Sequence, residues 1–188
     1  MINLNIQKAI IFATLKHKEQ KRKGTDIPYI VHPVEVMQIL TSLNCNENII
    51  IAGLLHDTLE DTSTTTEEIK NTFGEKVLDI VKSESEDKSK TWKERKQATI
   101  DHLENASTEI KLVCFADKLS NIKSIYRDKL ELGEKIFERF NASKENIKWY
   151  YEELGKVFEK LEQNESFDSS KYTQLLKEYN DVINEVFY

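Results

Sequence analysis

The sequence predicts an all-α fold, and three observations support that prediction. Apolar residues recur about every 3.6 positions along most of the 188-residue chain, as expected for helices with one buried face. Only 5 glycines and 2 prolines interrupt the pattern. No stretch clearly shows the apolar–polar alternation that is typical of a half-buried strand. We therefore expect a single helical domain over residues 1–188, with the last helix packed on it as an extension.

The first three predicted helices are separated by turn-forming residues. The periodicity predicts the first helix over residues 6–19. The stretch "KRKGTDIPYIVHP" then interrupts it, because Gly24, Pro28 and Pro33 do not fit inside a regular helix at that spacing. The stretch "VEVMQILTSL" predicts a second helix with one apolar face, and "ENIIIAGLLHD" predicts a short, largely buried third helix.

The next helix is expected to begin within "TSTTTEEI". Two capping boxes overlap there, Thr64 with Glu67 and Thr65 with Glu68, and either one satisfies the free N–H groups at a helix start. The segment "FGEKVLDIVKSE" follows as helix. The polar stretch at residues 83–96 then predicts a long mobile loop.

The remainder of the chain is predicted to be mostly helical. Helix resumes at "ATIDHL", and "TEIKLVCFADKLSNIKSIY" predicts a long helix with an apolar face. "NIKWYYEELGKVFEKL" and "YTQLLKEYNDVINEVF" predict two amphipathic helices joined by "EQNESFDSS". The sequence contains no internal repeat and no low-complexity segment.

Composition excludes several functional classes. A net charge of -6 argues against binding along a nucleic-acid backbone, although a local basic pocket for a phosphorylated ligand is compatible with it. No apolar run is long enough to span a membrane, and the N-terminus lacks the features of a signal peptide. Cys45 and Cys114 form neither a disulfide framework nor a zinc motif. We expect a cytoplasmic protein with reduced thiols, and the sequence leaves open whether it is a monomer or a homo-oligomer.

Four polar residues occupy positions where the helical pattern predicts apolar or structural residues. They are His32, His56, Asp57 and Asp117, and they come from three different elements. Taken singly, His32 is as readily a turn residue before a proline, and Asp117 a partner for a lysine. Taken together, they predict a metal site, because a cation offsets the cost of burying carboxylates. Two imidazoles and two carboxylates with open coordination positions suit Mn²⁺ or Fe²⁺, and also accept Zn²⁺ or Co²⁺.

The stretches that contain these residues resemble the hydrolase domain of the RelA/SpoT family, in its small stand-alone HD-domain form. The resemblance rests on "HKEQKRKGTDIPYIVHP", "AGLLHDTLEDT" and "KLVCFADKLSNIKSI", and covers about residues 8–126, which leaves a C-terminal helical part at about 127–188. It implies an HD-domain helical bundle and dependence on Mn²⁺. It also implies hydrolysis of the 3′-pyrophosphate of guanosine tetraphosphate or pentaphosphate alarmones, which gives GDP or GTP and pyrophosphate.

A second acidic pair follows the predicted metal pair. On a helix, Glu60 stands one turn beyond His56, and Asp61 stands one turn beyond Asp57. A carboxylate at that distance can hold or deprotonate a water molecule without being a metal ligand. The matching family residues have this water-activating role, so the resemblance implies that Glu60 and Asp61 are catalytic. A solvated helix end is the alternative explanation.

The resemblance also implies a set of substrate-binding residues. Arg22 and Lys23 match residues that meet the nucleotide, by stacking on the base and by pairing with phosphate. Asn121 stands one turn beyond Asp117, and Ser124 follows three residues later. Ile27 replaces the smaller residue that the family more usually has before "PYI".

Further candidates for the substrate phosphates and the pocket wall lie later in the chain. The charged loop at residues 83–96 matches one that borders the pocket, and Lys88, Lys93 or Arg95 is expected to meet the far phosphates. Lys144 and Tyr150 occupy a segment that closes the pocket in bacterial stand-alone members. Two alternatives to the alarmone hydrolase stay open at this point. One is an HD-type nucleotidase or phosphohydrolase for another nucleotide, and the other is a non-catalytic nucleotide-binding sensor.

Overall fold

The all-α prediction is confirmed by the structure, a computed structural model that describes residues 3–161 and 166–188. Within these ranges helices follow one another without a strand, and one isolated antiparallel bridge joins Lys21 to Pro28. The helices are α1 (Leu4–Lys16), α2 (Val31–Ser42), α3 (Glu47–Leu55), α4 (Thr58–Asp61), α5 (Thr66–Phe73), α6 (Glu75–Ser83), α7 (Trp92–Asn105), α8 (Thr108–Leu132), a 3-10 helix (Gly133–Arg139), α9 (Lys144–Glu159) and α10 (Ser169–Phe187).

Helix α3 lies at the centre of the core. Its residues from Ile49 to Leu55 are all buried, because the helix is apolar on every side. It packs against α1, α2, α6 and α8. Asn46 begins the helix by accepting a hydrogen bond from the Ile49 N–H, at 3.2 Å. The polar residues His56 and Asp57 follow α3 directly and therefore begin next to the core.

Helices α2 and α3 approach each other closely at Gly53. A Cβ atom at this position would lie 2.4 Å from Leu40 Cδ1 and 3.1 Å from Val36 Cγ1. Any larger residue at position 53 would force these two side chains of α2 to shift. Helix α8 packs against both α2 and α3, so the three helices form one unit.

Helix α2 begins earlier than the sequence predicted. It starts at Val31 and contains Pro33 in its first turn, so the expectation that Pro33 lies outside a helix is wrong. Proline is tolerated there because the first N–H groups of a helix have no partner within it. His32 is therefore held by the first turn of a helix rather than by an irregular turn.

The expected loop at residues 83–96 is shorter than predicted. Helix α7 begins at Trp92, and Thr91 and Glu94 form a complete capping box that the loop assignment overlooked. Of the two overlapping boxes predicted earlier, Thr65 with Glu68 forms at the start of α5. The predicted link "EQNESFDSS" lies partly outside the described residues, at 162–165.

The C-terminal helices pack on α8. Helix α10 contacts both α8 and α9, and the rings of Phe115, Phe158 and Tyr179 meet at this junction. The Phe115 and Phe158 centroids are 5.3 Å apart in an edge-to-face arrangement, a favourable geometry for aromatic pairs. Among the described residues, no helix is long and apolar enough to cross a membrane.

Replacing Gly53 tests the close approach of α2 and α3. We expect Gly53→Ala to lower the free energy of unfolding by about 1–3 kcal/mol, because the methyl group overpacks the contact with Leu40. Gly155→Ala is the matched control, since a Cβ there meets its nearest atom at an ordinary 3.4 Å. Its expected effect is neutral, or stabilising by up to about 1 kcal/mol, through helix propensity. Urea unfolding curves measure both variants, and equal stability of the two would contradict the packing constraint.

Candidate metal centre and substrate cavity

The structure brings together the four residues that the sequence predicted as metal ligands. The Nε2 atoms of His32 and His56 are 3.2 Å apart. Asp57 Oδ2 lies 2.9 Å from His56 Nε2 and 3.7 Å from His32 Nε2. Asp117 Oδ1 lies 3.0 Å from His32 Nε2 and 3.6 Å from His56 Nε2. Donor atoms from α2, α8 and the turn after α3 thus lie around the two histidine Nε2 atoms.

These separations fit a shared divalent cation. Ligand atoms that bind one ion at about 2.1 Å lie about 3.0–3.4 Å apart in octahedral or tetrahedral geometry. The observed distances of 2.9–3.7 Å bracket that range. One donor atom each from His32, His56 and Asp57 lies within 4.8 Å of the others.

The hydrogen bonds of His56 orient it as a ligand. Its Nδ1 lies 2.8 Å from the carbonyl oxygen of Gly53, which can only accept a hydrogen bond. Nδ1 therefore carries a proton, and Nε2 is the nitrogen that can ligate a cation. Tyr29 fixes the neighbouring ligand, because its hydroxyl donates to Asp57 Oδ2 at 2.5 Å.

Asp117 is held on two sides. The Asn121 side-chain amide donates to its Oδ1 at 2.5 Å, and the Lys118 ammonium pairs with its Oδ2. Burial by itself raises the pKa of Asp117, but Lys118 and the two histidines outweigh it and hold that pKa well below its usual range. The carboxylate is therefore ionised, as a metal ligand must be.

The pKa values of the two histidines are shifted in opposite directions. Burial lowers the pKa of His32, which keeps that ring neutral and able to ligate. Burial also opposes the charged form of His56, but Asp57 and Asp117 outweigh it and raise the pKa of His56 well above its ordinary value. The cluster therefore attracts positive charge, and a divalent cation satisfies the same carboxylates.

The second acidic pair lies on α4 rather than on a continuous helix with His56 and Asp57. Helix α3 ends at Leu55, and His56 and Asp57 form a turn before α4. The Asp61 N–H still donates to the Asp57 carbonyl at 2.9 Å, so one helical turn separates these two residues as predicted. Burial, Asp57 and Glu60 raise the pKa of Asp61.

A cavity of about 450 Å³ adjoins the cluster, and His32 and Tyr29 lie on its wall. Six of the nine predicted substrate-binding residues line it. Among the described residues, the buried Tyr150 hydroxyl has no hydrogen-bond partner. The guanidinium of Arg22 donates to Asn121 Oδ1 at 3.0 Å. The six predicted residues on the wall are Arg22, Lys23, Arg95, Asn121, Ser124 and Tyr150.

The other three predicted residues, Lys88, Lys93 and Lys144, are not on the cavity wall. Lys93 Nζ lies 5.3 Å from the Trp149 ring centroid. Lys88 Nζ lies 3.3 Å from Glu60 Oε1 and 3.8 Å from Asp61 Oδ1, so it faces the acidic pair. Lys144 Nζ pairs with Glu134 Oε2 at 2.9 Å. Their predicted contacts with phosphate therefore require these ion pairs to rearrange.

Several cavity residues did not stand out in the sequence. Lys118 and Asp128 line the cavity beside the predicted Asn121 and Ser124, because they share one face of α8. This helical periodicity was the available signal for Lys118, which the sequence alone explained equally well as a surface charge. Lys96 comes from α7, and its Nζ lies 5.0 Å from the Tyr150 ring centroid. Only the packing of α7 against α9 reveals that contact.

Comparison with known proteins places this geometry in a family. The sequence model of the HD domain family matches residues 9–148 of this chain. The chain belongs to the HD domain family. Membership implies a divalent metal, and the cluster of His32, His56 and Asp57 is the candidate site for it.

Several relatives of this HD-domain protein are named as pyrophosphohydrolases of a guanosine nucleotide. The guanosine-3′,5′-bis(diphosphate) 3′-pyrophosphohydrolase MESH1 of Xenopus tropicalis is 39% identical over 148 residues, which are 76% of this chain and 83% of the relative. The protein of the same name from Danio rerio is 36% identical over 81% of this chain and 87% of its own length. The corresponding pyrophosphohydrolase of Aquifex aeolicus is 42% identical over 70% of this chain, but only 19% of that relative is covered.

Two solved structures share the fold. A crystal structure of a Listeria monocytogenes protein is 32% identical, with a TM-score of 0.73, and the match covers 83% of this chain and 98% of that one. A metazoan orthologue of SpoT, described as hydrolysing ppGpp, is 26% identical with a TM-score of 0.72. That match covers 95% of this chain and 97% of the orthologue.

Removing one imidazole tests the metal centre. We expect His56→Ala to weaken Mn²⁺ binding to the metal-stripped protein by more than about 100-fold, since even residues behind the ligands contribute about 10–100-fold. His102→Ala, at an exposed histidine of α7, is the control and should bind like the wild type. Isothermal calorimetry measures the affinities, and circular dichroism verifies that both variants fold. Wild-type affinity in His56→Ala would rule out the cluster as the metal site.

Proposed function

We propose that this HD-domain protein hydrolyses the 3′-pyrophosphate of guanosine tetraphosphate or pentaphosphate and releases GDP or GTP and pyrophosphate. The observation that carries the proposal is the adjacency of the His–Asp cluster to a cationic cavity, through His32 on the cavity wall. Relatives named as 3′-pyrophosphohydrolases of this alarmone support the substrate class.

The cavity has the chemistry that a polyphosphorylated nucleotide requires. Its volume of about 450 Å³ lies within the range of about 300–1,000 Å³ typical of small-molecule sites. Cationic side chains reach it from several elements, and aromatic rings line the same space. The guanidinium of Arg22 lies 5.9 Å from the Tyr29 ring centroid, so it offers both a flat face for a base and a charge for phosphate. The cationic residues on the wall are Arg22, Lys23, Arg95, Lys96, Lys118, Arg127 and Arg139.

We propose Mn²⁺ as the cation, held by His32, His56, Asp57 and Asp117. A donor set of two imidazoles and two carboxylates with open positions suits Mn²⁺ or Fe²⁺ and also accepts Zn²⁺ or Co²⁺. When bound, the cation supplies Lewis acidity to water and to a phosphoryl oxygen. The protein supplies the fixed orientation of the ligands through Gly53, Tyr29 and Asn121.

Glu60 and Asp61 are the proposed proton acceptors. The reaction joins a water oxygen to the phosphorus attached to O3′ and breaks the O3′–P bond, so a proton leaves the water and O3′ gains one. Asp61 suits the first transfer, because burial and its acidic neighbours raise its pKa and make it a stronger base. Lys88 lies against both carboxylates and limits their mutual repulsion.

A substrate panel tests the reaction. The metal-stripped protein is supplied with Mn²⁺, Mg²⁺ or Zn²⁺ and offered guanosine 3′,5′-bisdiphosphate, GTP and deoxynucleoside monophosphates. We expect release of pyrophosphate from the bisdiphosphate, fastest with Mn²⁺. Turnover of a monophosphate without pyrophosphate release would favour a nucleotidase, and binding of the bisdiphosphate without turnover would favour a sensor.

Replacing Glu60 separates water activation from metal binding. We expect Glu60→Ala to reduce kcat by about 10²–10⁴-fold, because Glu60 and Asp61 act together on the water and a positioned general base contributes that much. Its Mn²⁺ affinity should remain that of the wild type, as measured by calorimetry. Glu67→Ala, at an exposed acidic residue of α5, is the control for both measurements. Loss of the metal in Glu60→Ala would show that this carboxylate acts as a ligand.

A further inference from the structure

His32 is supported differently from His56. The Nδ1 of His56 meets a main-chain carbonyl, whereas the Nδ1 of His32 lies 2.9 Å from the side-chain hydroxyl of Ser120 on α8. Both residues of this second contact are buried, with His32 1% and Ser120 2% exposed. A hydroxyl can donate or accept, so Ser120 alone does not determine which ring nitrogen of His32 carries the proton.

Glu35 removes that ambiguity. The Ser120 hydroxyl donates its only proton to Glu35 Oε2, at 2.8 Å. Its oxygen is then left to accept a hydrogen bond from His32, and the ring proton must reside on Nδ1. Nε2 consequently keeps its lone pair, and this is the atom that lies 3.0 Å from Asp117 Oδ1 and 3.2 Å from His56 Nε2.

Arg127 completes the chain of contacts. Its NH2 group donates to the other carboxylate oxygen of Glu35, Oε1, at 3.1 Å. This ion pair holds the Glu35 carboxylate against Ser120, because each of its two oxygens then has a donor. Glu35 and Arg127 lie on the cavity wall, whereas Ser120 is buried behind it. This series of hydrogen bonds therefore runs from the cavity surface to His32, a proposed ligand of the metal.

We propose that Ser120 and Glu35 are positioning residues that fix the Nδ1-protonated form of His32 and so set the metal affinity of the site. The inference rests on the proposed function only in taking His32 as a metal ligand. Hydrogen-bonded groups behind a ligand typically change metal affinity by about 10–100-fold when they are removed. Neither Ser120 nor Glu35 touches the reacting atoms, so each acts through the orientation of His32.

Metal binding without substrate tests the proposal. We expect Ser120→Ala to weaken Mn²⁺ binding to the metal-stripped protein by about 10–100-fold. Ser120→Thr keeps the hydroxyl and should restore most of the affinity. Glu35→Leu removes the acceptor and should weaken binding in the same direction. Ser42→Ala, at the far end of α2, is the control and should bind like the wild type.

A spectroscopic readout identifies the proton directly. In the metal-free protein with ¹⁵N-labelled histidine, we expect wild-type His32 to carry its ring proton on Nδ1. A shift of that proton to Nε2 in Ser120→Ala supports the series of hydrogen bonds. Wild-type Mn²⁺ affinity in both Ser120→Ala and Glu35→Leu, or no rescue by Ser120→Thr, would overturn it. Failure of the wild type itself to bind Mn²⁺ would instead count against the metal centre of the proposed function.

Discussion

The packing of α2 against α3 at Gly53 is the constraint on which the site depends. The missing Cβ lets Leu40 and Val36 of α2 come close to the backbone of α3. The carbonyl of the same glycine accepts the hydrogen bond that orients His56. One residue thus governs both the distance between the two helices and the direction of an imidazole. The Nε2 atoms of His32 and His56, one from each side of this contact, are 3.2 Å apart.

Burying the carboxylates of Asp57 and Asp117 next to that core costs free energy, and hydrogen-bond and ion-pair partners offset part of this cost. Asp57 receives the Tyr29 hydroxyl, while Asp117 receives Lys118 and Asn121. Each partner orients a carboxylate as well as offsetting part of the cost of its burial. The divalent cation proposed for this cluster would complete the compensation. This explains why a cluster of this kind persists among apolar helices.

Different helices supply the groups for proton transfer and the groups for substrate binding. The turn after α3 and helix α4 supply the acidic pair, and one face of α8 supplies Asp117, Lys118 and Asn121 to the cluster and the cavity. Helix α7 adds Lys96 from the opposite side, where Glu86 pairs with it at 2.6 Å. The cationic residues on the cavity wall therefore come from elements other than α4, which carries the acidic pair.

The sequence by itself determined the helical class, most helix positions and the residue types of the metal cluster. These features depend on neighbours within about one turn, through apolar periodicity and capping, and both are visible in the chain. Local signals were misjudged at Pro33 and at Trp92, where a helix starts at residues that also occur in loops. Only the tertiary structure decided that Lys88 faces Glu60, that Lys118 lines the cavity and that Ser120 bridges His32 to Glu35. The bridging residues come from α2 and α8, more than 80 positions apart in the chain, and helix packing rather than sequence spacing sets their distances.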